Sequence, residues 1–265
     1  MPKNRPVSPS LLKPSASSRT PAPGTRPEGV PEAQTPRYVR DMFEQIAPRY
    51  DLANHLLSLN IDQYWRWHTV RRLRRHPLDA RSPVVDLCCG TGDLTVALDR
   101  GLPAHLPVIG SDFTHGMLAR ARQKSTSARV AWMECDAMRL PFADASVGAF
   151  TTAFGFRNLV DYRAALREFL RALRPGGILL ILECSRPSVP VIGTLYDIYF
   201  SRIVPLLGGW ITGSRSPYQY LPASVSRFPA PRELAVWMRE AGFQDVRFRR
   251  LTGGITALHS AVKPR

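Results

Sequence analysis

The chain has 265 residues and a mass of 29.6 kDa, a length that predicts one large domain or one domain with an insertion. Its formal net charge of +15 and pI near 10.5 favour a surface that faces polyanions, either nucleic acid or anionic lipid headgroups. The four cysteines lack the spacing of metal ligands, so no metal site is expected, and they indicate a reduced, cytoplasmic compartment.

Residues 1–36 differ from the rest in composition. They hold nine prolines, several serines and almost no large apolar side chains. Such a segment buries too little surface to order itself, so it is predicted to be a disordered basic tail, and the folded domain is predicted over residues 37–265. The tail has no apolar core of a secretion signal, and its density of proline disfavours the amphipathic helix of a transit peptide.

Two helices are predicted between residues 38 and 76. The first follows a helical period of apolar residues from Val39 to Ile46 and ends before Pro48. The second, over residues 65–75, interleaves two tryptophans with five arginines: Trp65, Trp67, Arg66, Arg71, Arg72, Arg74 and Arg75. This composition is typical of a helix at a membrane interface, and equally of a solvated arginine face above a core-facing stripe.

The stretch from Val84 to Leu94 organises the chain. A buried strand over 84–88 ends in Gly90 and Gly92, and a helix over 93–100 follows at once. Glycines at such a turn accept positive φ angles and let a nucleotide-like cofactor approach the main chain. A dinucleotide fingerprint requires a third glycine where Thr95 stands, and the Asp93 carboxylate would repel a phosphate. A cationic cofactor without phosphate fits better, and S-adenosylmethionine has that character.

Two acids follow later strands. Asp112 ends the strand predicted over 107–111, about 20 residues beyond the glycine turn, where this architecture places an acid for the ribose hydroxyls. Asp136 follows the strand predicted over 129–134 and is placed to accept from the adenine amino group. Acids at strand exits also serve as helix N-caps, but several in register favour a shared cofactor site.

The elements alternate from Pro83 onward, which predicts an α/β fold with a parallel sheet covered on both faces. Further helices are predicted over 114–124 and 161–173, and further strands over 146–153 and 178–183. Residues 185–229 break the alternation and are predicted to form a lid or an interfacial hairpin over the active site. Their apolar stretch, 195–211, is too short and too polar to span a bilayer. A last helix between Pro231 and Gly242 and strands over 244–250 and 255–262 close the chain.

Several motifs resemble those of the ubiquinone/menaquinone biosynthesis C-methyltransferases, from about residue 38 to residue 263. These are Arg49-Tyr50-Asp51, Val85 to Leu94, Phe154-Gly155-Phe156-Arg157-Asn158, Leu173 to Gly177, and Leu251 to His259. The resemblance implies a class I S-adenosylmethionine-dependent methyltransferase, a Rossmann-like, seven-stranded sheet with helices on both faces and its last strand antiparallel. It also implies methyl transfer to a ring carbon of a polyprenylated hydroquinone.

Matching the family's motifs position by position assigns the site residues. Thr91, Asp112, Asp136 and Ala137 are implied to contact S-adenosylmethionine, beside Gly90 and Gly92 of the turn. A further cofactor contact, a serine in some members, is Ala153 here.

Three residues are candidates for the chemistry of the acceptor ring. Arg157 is placed to stabilise a phenolate, although a structural ion pair is the alternative, and a guanidinium is not a base. Asn158 is expected to orient a quinol oxygen. Tyr50 is expected to close the pocket or relay a proton, with a packed aromatic as the alternative, and His259 is interpreted as structural.

The acceptor and the partners are open on the sequence alone. Demethylmenaquinol is favoured by the resemblance, with a polyprenyl-methoxy-benzoquinol as the alternative. An RNA methyltransferase is the rival suggested by charge, but the Asn/Asp-Pro-Pro-aromatic segment of such enzymes is replaced by 156–160, and no specific nucleic-acid module is visible. A non-catalytic cofactor-binding scaffold is the third reading. Arginines 66–75 and residues 195–211 are predicted to contact the inner face of the cytoplasmic membrane peripherally, and a homodimer stays open.

Overall fold

Seven strands form one sheet in the computed structural model of this chain, which describes residues 24–187, 193–204 and 216–265 apart from 26, 28, 126, 195 and 197. The strands are β1 (Val84–Leu87), β2 (Val108–Asp112), β3 (Val130–Glu134), β4 (Val147–Ala153), β5 (Leu173–Cys184), β6 (Gln244–Leu251) and β7 (Thr256–Val262). Their order is β3-β2-β1-β4-β5-β7-β6, and β7 runs antiparallel to both of its neighbours. The predicted fold class is confirmed.

Helices surround the sheet, and eight of them are α-helices whose bounds lie within the described residues. They are α1 (Thr35–Ile46), α2 (Tyr50–Leu57), α3 (Ile61–Arg74), α4 (Asp93–Gly101), α5 (His115–Lys124), α6 (Tyr162–Ala172), α7 (Ser216–Arg227) and α8 (Pro231–Glu240). Local sequence fixes several of their ends. The Asp161 carboxylate accepts the N–H of Ala164 at 2.9 Å and caps α6, whereas Gly242 ends α8 with a φ of 107°.

The sheet separates two apolar cores. Successive residues of a strand point to opposite faces, so Val84 packs with α3 and α4 while Val85 packs with α6 and α8. The same alternation continues along β5, where Leu179 and Leu180 enter different cores. Burial on both faces explains why the central strands are continuous apolar runs.

Several elements differ from the prediction. Helix α2 was not predicted, α1 begins at Thr35 instead of Val39, and α3 begins at Ile61 instead of residue 65. Strand β5 begins at Leu173 instead of residue 178, because Leu173 pairs with Val147. The register shifts between this pair and the pair of Ala149 with Ile178, and Pro175-Gly176-Gly177 lies within that shift. Within the described residues, no helix is both long enough and apolar enough to cross a membrane.

The boundary predicted for the disordered tail lies too late. Residues 1–23, 26 and 28 are outside the described part of the chain. Thr25, however, is buried, and its N–H donates to the carbonyl of Leu159 at 2.8 Å. A single 3-10 turn, Glu32–Gln34, then leads directly into α1. Composition predicts which segments cannot form a core by themselves, but it cannot reveal a contact with a residue more than a hundred positions away.

Candidate active site

A cavity of about 1020 Å³ lies at the carboxyl ends of strands β1 to β5. Its floor is formed by the residues that follow these strands, including the glycine turn, and its walls come from α1, α2 and α3. Residues of the predicted lid segment, Tyr196, Tyr199, Val204 and Leu221, also line it. Most of the apolar stretch 195–211 lies outside the described residues. Ligands of open α/β sheets bind at this edge, so the cavity is the candidate active site.

The glycine turn has the geometry that the sequence predicts. Gly90 and Gly92 have φ angles of 56° and 85°, which side chains rarely adopt. A Cβ on Gly92 would lie 2.6 Å from the ring of Trp132, so glycine is required there by packing as well. Near Gly90 a Cβ would meet only the ring of Tyr50, at 3.8 Å, and the main chain is open to a ligand.

Asp112 joins the turn to β2. Its carboxylate accepts the N–H of Gly90 at 2.8 Å and the N–H of Thr114 at 2.9 Å. Burial raises the pKa of Asp112 although these hydrogen bonds act to lower it. A carboxylate offers about four acceptor positions, so the Asp112 carboxylate can accept more hydrogen bonds than these two.

The other predicted cofactor residues reach the same edge. Asp136 accepts the N–H of Met138 at 2.8 Å, and Ala137 is buried beside it. Of the nine site residues predicted from sequence, all except Gly92 line the cavity: Tyr50, Gly90, Thr91, Asp112, Asp136, Ala137, Arg157 and Asn158. Gly92 lies beneath the turn, against Trp132.

Arg157 is held by an acid that the sequence analysis did not identify. Glu183, near the end of β5 and 1% exposed, accepts the backbone N–H of Arg157 at 3.0 Å and its Nη1 group at 3.1 Å. Burial acts to lower the pKa of Arg157, but the Glu183 carboxylate outweighs it, so that pKa is raised. Nη1 also donates to the carbonyl of Phe154. The Nε group of Arg157 is buried and has no hydrogen-bond partner among the described residues, and Nη2 is the other donor left for a ligand in the cavity.

Asn158 and Tyr50 line the same cavity as Arg157. The hydroxyl of Tyr220 donates to Asn158 Oδ1 at 3.0 Å. The ring of Tyr50 packs edge-on against Phe43 with centroids 6.0 Å apart, and burial raises the pKa of its hydroxyl. Tyr50 is thus a packed aromatic that also lines the cavity, and its hydroxyl is protonated at neutral pH.

A network of ion pairs ties the helices of the cavity wall to the glycine turn. Asp93 is 2.7 Å from Lys124 and 3.3 Å from Arg66, and Lys124 also contacts Asp51 at 2.7 Å. The hydroxyl of Thr91 donates to Asp51 and receives a hydrogen bond from Lys124. Lys124 and Arg66 offset the negative charge of Asp93. Asp93 is therefore weaker evidence against a phosphate ligand than the sequence alone suggested.

The burial of Arg66 in this network contradicts its predicted contact with a membrane. Arg66 is 9% exposed and pairs with Asp62 and Asp93, so it faces the protein interior and not a membrane.

His55, Asp62 and Asp93 lie close enough together for a metal ion. Arg66 and Lys124 already occupy their carboxylates, however, and the group is better described as an ion-pair network.

Comparison with known proteins gives a consistent family. The model of the ubiE/COQ5 methyltransferase family matches residues 31–263. The demethylmenaquinone methyltransferase of Thermus thermophilus is 45% identical over 226 residues, which cover 84% of this chain and 100% of the relative. The enzyme of the same name from Deinococcus radiodurans is 42% identical and covers 83% of this chain and 90% of its own length.

Solved structures support the fold. An S-adenosylmethionine-dependent methyltransferase from Thermotoga maritima superposes with a TM-score of 0.60 at 19% identity, covering 84% of this chain and 99% of that one. Phosphoethanolamine N-methyltransferase 2 of Haemonchus contortus, in complex with S-adenosylmethionine, gives 0.54 at 18% identity and covers 75% and 53%. At this level of identity the likeness concerns the fold alone.

Proposed function

Because the chain belongs to the ubiE/COQ5 methyltransferase family, we propose that it transfers a methyl group from S-adenosylmethionine to a ring carbon of demethylmenaquinol. The observation that carries the proposal is that one cavity joins the glycine turn to Arg157. The relatives named as demethylmenaquinone methyltransferases support the naphthoquinol acceptor. The benzoquinol alternative is not favoured.

The cofactor supplies a methyl group that its sulfonium already activates, so the protein has to bind, orient and exclude water. Asp112 and Asp136 supply carboxylate acceptors for ribose hydroxyls and an adenine amino group. Gly90 and Thr91 bring the main chain close to the ligand, and Ala137 contributes a small buried surface. The buried position of Asp112 strengthens each hydrogen bond that it accepts.

The acceptor ring becomes nucleophilic when its hydroxyl loses a proton, and a free phenol has a pKa of about 10. Arg157 stays protonated, so in this proposal its Nη2 group stabilises the developing phenolate and does not accept the proton. Asn158 orients the quinol oxygen. Tyr50 closes the cavity and, because its hydroxyl stays protonated, serves as a hydrogen-bond donor there.

The proposed activity is tested with methyl-labelled S-adenosylmethionine and three acceptors: demethylmenaquinol, a polyprenyl-methoxy-benzoquinol, and total RNA. Label in menaquinol alone is the expected result, whereas label only in RNA or in the benzoquinol would contradict the proposal. In single turnover, Arg157→Met should slow methyl transfer about 100-fold or more. Arg163→Met is the matched control, because Arg163 forms an exposed ion pair with Glu240. Equal rates for both variants would remove Arg157 from the chemistry.

We also propose that the mouth of the cavity contacts the membrane that holds a polyprenylated substrate. Most large exposed apolar side chains of the described residues lie in two segments: Leu52, Leu56, Leu59, Tyr64, Trp67, Ile198 and Ile203. The two segments adjoin, because the hydroxyl of Tyr199 donates to the carbonyl of Leu57 at 2.7 Å. Leu57, Leu59 and Tyr199 line the cavity as well, so this apolar surface adjoins the cavity.

The membrane proposal is tested by co-sedimentation with anionic and neutral liposomes. The double variant Leu56→Ser with Leu59→Ser should lose binding to anionic liposomes. Val236→Ser with Phe248→Ser is the control, because these side chains are exposed but do not line the cavity. Equal loss in both double variants, or no binding of the unmodified protein, would contradict this surface.

A further inference from the structure

A short N-terminal segment, Gly24–Thr25, lies against the residues that follow Asn158. The Thr25 N–H donates to the carbonyl of Leu159 at 2.8 Å, and Thr25 is 4% exposed. A Cβ on Gly24 would lie 1.8 Å from the carbonyl oxygen of Val160, so only glycine fits there. Both residues precede position 31, where the match to the family begins. The contact is therefore a feature of this chain outside the matched region.

A chain of hydrogen bonds runs from this segment to the cavity. Thr25 Oγ1 is 2.8 Å from the hydroxyl oxygen of Tyr220, and the Tyr220 hydroxyl donates to Asn158 Oδ1 at 3.0 Å. A tyrosine hydroxyl has one hydrogen, so the Tyr220 oxygen accepts from Thr25. The Thr25 hydroxyl donates to Tyr220, which donates to Asn158, and all three groups are then oriented by one another.

These hydrogen bonds determine how the Asn158 side chain is presented to a ligand. Tyr220 occupies one acceptor position of the side-chain oxygen and so orients the amide, and the two N–H groups of Nδ2 are available to the cavity that Asn158 lines. We propose that Tyr220 and Thr25 are positioning residues that hold the Asn158 amide as a hydrogen-bond donor, and that the site is thereby selective for an acceptor oxygen on the ring. The inference rests on the proposed quinol methylation, because it assigns the oxygen that Asn158 recognises.

Kinetics of three variants test the inference. Tyr220→Phe should raise the KM for demethylmenaquinol about threefold to tenfold, the loss expected for one neutral hydrogen bond. Thr25→Val should raise the same KM by a smaller factor. Thr25→Ser keeps the hydroxyl and should have the KM of the unmodified protein. The Kd for S-adenosylhomocysteine should stay unchanged in all three. Because Thr25 acts through Tyr220, the double variant Thr25→Val with Tyr220→Phe should match Tyr220→Phe alone.

Thr35→Val is the matched control, since Thr35 is a buried threonine whose hydroxyl donates to the carbonyl of Pro31, away from Tyr220. An effect of Thr35→Val as large as that of Thr25→Val, a parallel loss of S-adenosylhomocysteine binding, or an unchanged quinol KM would overturn the inference. An unmodified protein that methylates no quinol would overturn the proposed function itself, and the inference with it. Quinol methylation with unaffected variants would overturn the inference alone.

Discussion

Replacing Glu183 by glutamine tests how the candidate site is held together. The Glu183 carboxylate accepts three hydrogen bonds, two from Arg157 at 3.0 and 3.1 Å and one from the N–H of Cys184 at 3.1 Å. Both side chains are almost inaccessible, at 1% for Glu183 and 7% for Arg157. The glutamine would leave the guanidinium without its counter-charge. Breaking a buried pair in this way costs about 3–5 kcal/mol of unfolding free energy.

Urea and thermal unfolding measure this cost. In a domain of this size 1 kcal/mol lowers Tm by about 2–4 °C, so Glu183→Gln should lower it by roughly 6–20 °C. Glu240→Gln is the control, because its pair with Arg163 is about half exposed and should contribute about 0–1 kcal/mol.

A double variant separates the charge from the packing. Glu183→Leu with Arg157→Met removes both charges, so it should be more stable than Glu183→Gln even though it is inactive. The reasoning fails if Glu183→Gln loses less than about 1 kcal/mol, or if the double variant is the least stable of the set.

Three other predictions concern buried titratable groups. Asp112→Asn should raise the Kd for S-adenosylhomocysteine about tenfold or more by calorimetry, with Asp144→Asn, an exposed acid, as the unaffected control. Burial lowers the pKa of His259 to about 4, below its unfolded value, so its contribution to stability is lost as the pH falls from about 6.5 to 4. When the pH is lowered from 7 to 4.5, the Tm of His259→Gln should therefore fall less than the Tm of the unmodified protein. Burial raises the pKa of Asp86 to about 7, so its contribution is lost as the pH rises through that value. As the pH rises from 5 to 8, the unfolding free energy of Asp86→Asn should increase relative to that of the unmodified protein. A difference between the two free energies that does not change with pH would contradict this.

Much of the fold could be predicted because its signals are local. Alternating apolar runs and helical periods set the order of strands and helices, and the residue that caps α6, Asp161, is the first residue of the helix predicted over 161–173. The glycine turn and the acids at the ends of β2 and β3 were visible for the same reason. Each requires only knowledge of which residues follow a strand.

Glu183 could not be assigned a role in this way. Its pairing with Arg157 depends on how β5 aligns with β4, where Ala153 lies opposite Leu182, and sequence does not determine that register. Arg66 is different, because Asp62 stands four residues before it on the same helix face. That spacing is a known signal of an ion pair and would have predicted the pair with Asp62, whereas the burial of the pair depends on how α3 packs on the rest of the fold.

The ion pairs between Lys124, Asp51 and Asp93 link the α2 wall of the cavity to its floor. Helix α2 carries Asp51, whereas Asp93 is the first residue of the helix that follows the glycine turn. An engineer who exchanges α2 and α3 for those of a relative to change the accepted ring must therefore retain an acid at position 51 and a cation at position 66. A chimera without them would leave Lys124 and Asp93 each short of one ion-pair partner beside the glycine turn.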